Sequence, residues 1–80
     1  MIPGHKGYVK TSIIYVTYDE VVANNLREEI SARYKVLTFS KSRVVNGLYF
    51  IEIEGNFKDE VEKLIDGRAI WYKVNVLEFK

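Results

Sequence analysis

The stretch KVLTFSKSRVVNGLYFIEIE, Lys35 to Glu54, sets two runs rich in β-branched and aromatic residues on either side of Asn46-Gly47. Asn-Gly between two such runs is the strongest short signal for a β-hairpin, because a type I′ turn needs positive φ at both central residues. With Asn46 and Gly47 as the loop, Val45 faces Leu48, Val44 faces Tyr49, Arg43 faces Phe50 and Lys41 faces Glu52. One face of the hairpin then carries Val36, Thr38, Ser40, Ser42, Val44, Tyr49, Ile51 and Ile53, without charge, and is expected to lie under helices. The other carries Leu37, Phe39, Lys41, Arg43, Val45, Leu48, Phe50, Glu52 and Glu54. Large apolar side chains mixed with a Lys41–Glu52 pair and Arg43 are more than a solvated sheet face usually shows, so this face is expected to be covered by something.

Upstream of the hairpin, TSIIYVTY (Thr11 to Tyr18) suits a pleated, half-buried strand better than a helix. Thr17 and Glu20 have capping-box spacing, and Asp19 and Glu20 lie where the helix dipole favours negative charge, so a helix is expected to start here. Its buried stripe is Val22, Leu26, Ile30 and Tyr34. Downstream, Asn56 is the expected cap of a second helix with Phe57, Val61, Leu64 and Ile65 inward and Gly67 as its stop. The tail IWYKVNVLEF sets Trp71, Lys73, Asn75 and Leu77 against Tyr72, Val74, Val76 and Glu78. That period of two predicts a strand over 71–79, with a continued helix as the alternative. Strand, helix, hairpin, helix, strand is the β-α-β-β-α-β order of the ferredoxin-like α+β sandwich, two helices on one face of a four-stranded antiparallel sheet. Residues 1–10 hold the only Pro and His and read as a flexible N-terminal arm, with 11–80 as one domain.

The chain has 80 residues and 9.3 kDa. Folding a chain this size buries only about 63% of its surface, so a partner subunit stabilises it more than it would a larger domain. Twelve Lys and Arg against eleven Asp and Glu give a net charge of +1, which argues against a strong field for gripping phosphate backbones nonspecifically. The absence of cysteine excludes disulfides, thiolate nucleophiles and cysteine-ligated zinc or iron–sulfur centres. Without an apolar leader or a run long enough to cross a bilayer, the chain is read as cytoplasmic and off the membrane.

The residues for catalysis are sparse. His5 is the only imidazole and has no partner at catalytic spacing, and Asp19-Glu20, Glu28-Glu29 and Asp59-Glu60 read as helix-surface charges and not as metal ligands. Gly4-His5-Lys6-Gly7 has the form of a KH-domain GxxG loop but no helix precedes it, and it lacks P-loop spacing. GLYFIEI (Gly47 to Ile53) fits an RNA-recognition motif only at Gly47, Phe50 and Ile51, and Glu52 and Glu54 put negative charge where phosphate would lie. Tyr18-Asp19-Glu20 replaces the phosphate-cradling loop of an acylphosphatase with carboxylates. No enzyme activity, metal or cofactor is therefore expected.

Past the arm, Ile13 to Tyr18, VVANNLREEI (Val21 to Ile30), NGLYFIEIEG (Asn46 to Gly55) and EVEKLIDGRAIWYKVNVLEF (Glu60 to Phe79) resemble, in order and character, the small dimerising subunit of the KEOPS complex, which helps install threonylcarbamoyl on tRNA adenosine. The resemblance implies a non-catalytic scaffold, a homodimer pairing through its sheet while its helices dock a kinase-like subunit near tRNA. It also implies a long final helix, of which Leu64, Arg68 and Ala69 keep part of the motif around Gly67. From the residues themselves, the expected interface is Leu37, Phe39, Leu48 and Phe50 around the cations Lys41 and Arg43. The expected function is a scaffold subunit that dimerises within a larger complex in tRNA modification. The alternative is a small RNA-binding module using the sheet face and the basic arm, with Lys41 and Arg43 on nucleic acid.

Overall fold

The computed structural model describes residues 8–79. Within them run β1 (Tyr8–Val16), α1 (Glu20–Arg33), β2 (Val36–Lys41), β3 (Leu48–Glu54), α2 (Lys58–Ile65) and β4 (Trp71–Phe79). The strands form one antiparallel sheet in the order β2-β3-β1-β4, the ferredoxin-like α+β sandwich. The tail is a strand, as its alternation requires, and not the long helix implied by the KEOPS resemblance. Of the arm expected over 1–10, Tyr8 to Lys10 already belong to β1, paired with Phe79, Glu78 and Leu77. The motif Gly4-His5-Lys6-Gly7 lies outside the described residues.

The central strand β1 sets both faces. Thr11, Ile13 and Tyr15 are fully buried and meet Tyr49, Ile51 and Ile53 of β3, Val74 of β4, Ala23, Leu26 and Ile30 of α1 and Val61 and Ile65 of α2 in one core. The stripes read from the sequence differ in detail: Ala23 is buried where Val22 is only partly so, and Tyr34, Phe57 and Leu64 pack at the margin. The caps shift as well. Asp19, not Thr17, caps α1, its carboxylate accepting from the Val21 N–H at 2.9 Å, while the Thr17 hydroxyl accepts from the Asp19 N–H at 3.2 Å. The Asn56 side chain accepts from the Lys58 N–H at 3.4 Å, but Phe57 holds the cap position of α2. Gly67, at φ +84°, ends α2 as expected.

The hairpin departs most from its sequence reading. Lys41 pairs with Tyr49 and not Glu52, and Ser40 pairs with Phe50. The connection is the segment 42–47, because Asn46 does not take the positive φ that a type I′ turn requires, whereas Gly47 does at +82°. Two contacts impose this. The Ser42 hydroxyl accepts from the N–H groups of Val44 and Val45 at 3.2 and 2.9 Å, turning the chain immediately after β2. At the other end, the Thr17 N–H donates to the Gly47 carbonyl at 2.9 Å, tying the loop to β1.

From Thr38 to Lys41 the register moves by three residues, so these β2 side chains change face relative to β3, whereas Val36 keeps the core side expected of it. A bulge between Val36 and Thr38 then lets Val36 and Phe39, three apart in sequence, both pack on the core. Burying Phe39 instead of Ser40 and Ser42 is the hydrophobic gain that favours this register, about 2 kcal/mol for a largely covered Phe.

Gly47 is required twice over. A Cβ there would lie 2.7 Å from the Tyr18 ring and 2.8 Å from the Thr17 carbonyl oxygen, on a backbone conformation that L residues avoid. Gly47→Ala is expected to lower the unfolding free energy by about 2 kcal/mol or more, and Asn46→Ala by less than about 0.5 kcal/mol, measured by urea titration.

Tyr15 supplies a pH test of the same core. It stacks on Tyr49 with ring centroids 5.3 Å apart, and its hydroxyl donates to the Ala23 carbonyl at 3.4 Å. Burial, then the neighbouring Tyr49, pushes its pKa up to about 12. The fold therefore favours the neutral phenol: this stabilisation is complete below about pH 10, the unfolded value, and is lost as pH rises from 10 through 12. Urea titrations between pH 8 and 12 are expected to show that loss, and Tyr15→Phe to remove most of it.

Candidate interaction surface

The helices cover one face of the sheet and leave the other open. Alternation from the buried residues of β1 puts Tyr8, Lys10, Ser12, Ile14 and Val16 on the open face. Pairing adds Leu48, Phe50, Glu52 and Glu54 from β3, Trp71, Lys73, Asn75, Leu77 and Phe79 from β4, and Thr38 and Ser40 from β2. Ile14 sits between Phe50 and Lys73, and Val16 between Leu48 and Trp71. Ile14, Val16, Leu48, Phe50 and Trp71 form a contiguous apolar patch, bordered by Lys73, at the end of the sheet where β1 leads into α1. Trp71 is 50% exposed at its margin, beside Ile70 at 66%.

A polar band crosses the middle. The Lys10 ammonium and Glu52 carboxylate lie 3.0 Å apart, with their side chains only 19% and 15% exposed, and Ser12 is buried beside them. Beyond the band, Tyr8 and Phe79 make a second aromatic cluster with ring centroids 5.7 Å apart, and the Lys10 ammonium sits 5.5 Å from the Phe79 ring.

The six residues expected at the surface separate. Leu48 and Phe50 are on the open face. Phe39 is on the helix side, 6.3 Å from the Tyr49 ring and capped by the Arg27 guanidinium at 4.4 Å. Leu37 is exposed at the bulge of the edge strand. Lys41 is also on the helix side, its ammonium 5.7 Å from the Tyr49 ring, and Arg43 is exposed in the 42–47 loop. Lys41 and Arg43 thus do not converge with Leu48 and Phe50, because the shifted register and the longer loop carry them away. Ile14, Val16 and Trp71, which the sequence reading did not include, share the open face with Leu48 and Phe50 through β1.

On the helical layer, a groove of about 510 Å³ runs along Asn24, Arg27, Glu28, Ser31 and Ala32 of α1. A smaller one of about 240 Å³ lies between α2 and β4, lined by Asp59, Glu62, Lys63, Asp66 and Tyr72. There, desolvation and then the negative charges of Asp66 and Glu62 hold the Tyr72 hydroxyl above its ordinary pKa. Among the described residues no three His, Asp or Glu side chains gather as a metal site would require, and no helix is long and apolar enough to cross a membrane. Comparison with models of known protein families finds none that matches this chain, and none of the curated proteins matches it either.

The face assignment has a direct test. Phe50→Glu places its carboxylate on the open face and is expected to fold, with a loss of about 1–2 kcal/mol. Ile51→Glu, one residue on, forces a charge into the core and is expected to abolish the cooperative urea transition.

Proposed function

We propose that this chain is a non-catalytic interaction subunit that self-associates and takes its place in a larger protein complex, with the open sheet face as its docking surface. The observation that carries this reading is the apolar patch of Ile14, Val16, Leu48, Phe50 and Trp71. A sheet face that no described element covers, with large aliphatic and aromatic side chains at one end and a closed ion pair at its centre, has the anatomy of a contact surface. The resemblance to the KEOPS small subunit makes tRNA modification the proposed setting. The chain ends in a strand where that family has a helix, so the role proposed is the general one of an assembling subunit.

RNA binding through the sheet draws less support. Lys41 and Arg43 lie off the open face, and of the two lysines placed on it Lys10 is neutralised by Glu52, which leaves Lys73 as a single cation.

The experiment is affinity purification of the tagged chain from its source cells beside Phe50→Glu. The wild-type chain is expected to retain a near-stoichiometric partner, and the folded variant to lose it about tenfold or more, as for a central apolar contact. Recovery of no partner by the wild type, or equal recovery by the variant, contradicts the reading.

A further inference from the structure

The two edges of the sheet differ. β2 is short, Val36–Lys41, and broken by a bulge, which are ordinary protections against unwanted pairing. β4 runs nine residues, Trp71–Phe79, pairs with β1 without a bulge and contains no proline.

The free backbone groups of β4 follow from the ladder. The Thr17 N–H donates to the Gly47 carbonyl and the Gly55 N–H to the Val9 carbonyl, so odd-numbered residues of β1 bond to β3 and even-numbered ones to β4. Their partners on β4 are Trp71, Lys73, Asn75, Leu77 and Phe79. Tyr72, Val74, Val76 and Glu78 therefore turn their N–H and C=O groups outward, and β1 is the only strand paired with β4 among the described residues.

We infer that two copies of this chain pair antiparallel through β4, joining their sheets into one of eight strands. This rests on the self-association proposed above and specifies its geometry. Hydrogen-bonded pairs form only between outward-turned residues, which are all even-numbered, so the numbers of opposed residues sum to an even value. Opposed side chains share a face, so both helical layers lie on one side and the two open faces join on the other. Full overlap of all nine residues occurs at one register, centred on Asn75. There Val74 opposes Val76, Tyr72 opposes Glu78, Lys73 opposes Leu77 and Trp71 opposes Phe79 of the second copy. No like charges meet, and ~8 backbone hydrogen bonds form.

The register also places Trp71 and Phe79, 50% and 48% exposed in the single chain, against each other at both ends of the seam. The patch around Leu48 and Phe50 stays free, so the dimer presents two copies of the docking surface side by side.

The chain has no cysteine, which makes disulfide trapping clean. Asn75→Cys puts two sulfurs across the two-fold at a non-hydrogen-bonded pair, where Cα atoms are about 4.5 Å apart and within disulfide range. Under mild oxidation it is expected to form covalent dimer about tenfold faster than Ser40→Cys on the opposite edge strand. Lys73→Cys mixed with Leu77→Cys is expected to cross-link as a heterodimer faster than either alone, which covers the case in which Asn75→Cys folds poorly. Light scattering of the unmodified chain over a dilution series accompanies both. A dimer that traps no faster through β4 than through Ser40→Cys overturns the edge pairing and leaves self-association standing. A monomer at every concentration overturns both.

Discussion

The alternation of hydrogen bonds along β1 is the constraint on which the rest of this structure depends. Because β1 lies between β3 and β4, its odd-numbered residues bond one neighbour and its even-numbered residues the other. The same alternation sends Ile13 and Tyr15 under the helices and Ile14 and Val16 to the open face. Core, surface patch and free edge are thus one geometric decision. It is held in place by the burial of Tyr15 against Tyr49 and by the Thr17–Gly47 bond at the strand's end. A change that slid β1 by one residue would exchange the core for the open face.

Element types were legible in the sequence because each rests on local chemistry. Gly67 stops α2 by adopting positive φ, and the two-residue alternation of Trp71 to Phe79 makes a strand whose odd members share the open face. The hairpin register was not legible. Asn46-Gly47 has the local preference for a tight turn, but the contacts that override it lie elsewhere: Gly47 against Thr17 and Tyr18 across the chain, and Phe39 in the core through a bulge at Leu37. Tertiary burial outweighs a turn preference worth less than the side chain it would expose.

The surface was legible in part for the same reason. Leu48 and Phe50 lie on the open face because the buried Tyr49, Ile51 and Ile53 make the parity of β3 unambiguous. Phe39 and Lys41 were misplaced with the register of β2. Ile14 and Val16 were hidden because TSIIYVTY is apolar on both faces, and its alternation shows only once Tyr15 is seen to be buried. Trp71 carried a readable signal, sharing a side with Lys73 and Asn75, but nothing local joins β4 to β3 across β1.

Two copies that share the β4 edge, as inferred above, have one continuous open surface. The most direct measurement is amide hydrogen exchange along Trp71 to Phe79 at two protein concentrations. Slow exchange at Tyr72, Val74, Val76 and Glu78 that quickens on dilution, while Lys73, Asn75 and Leu77 stay protected, is the predicted result. Fast exchange at those four even-numbered amides at both concentrations would contradict it.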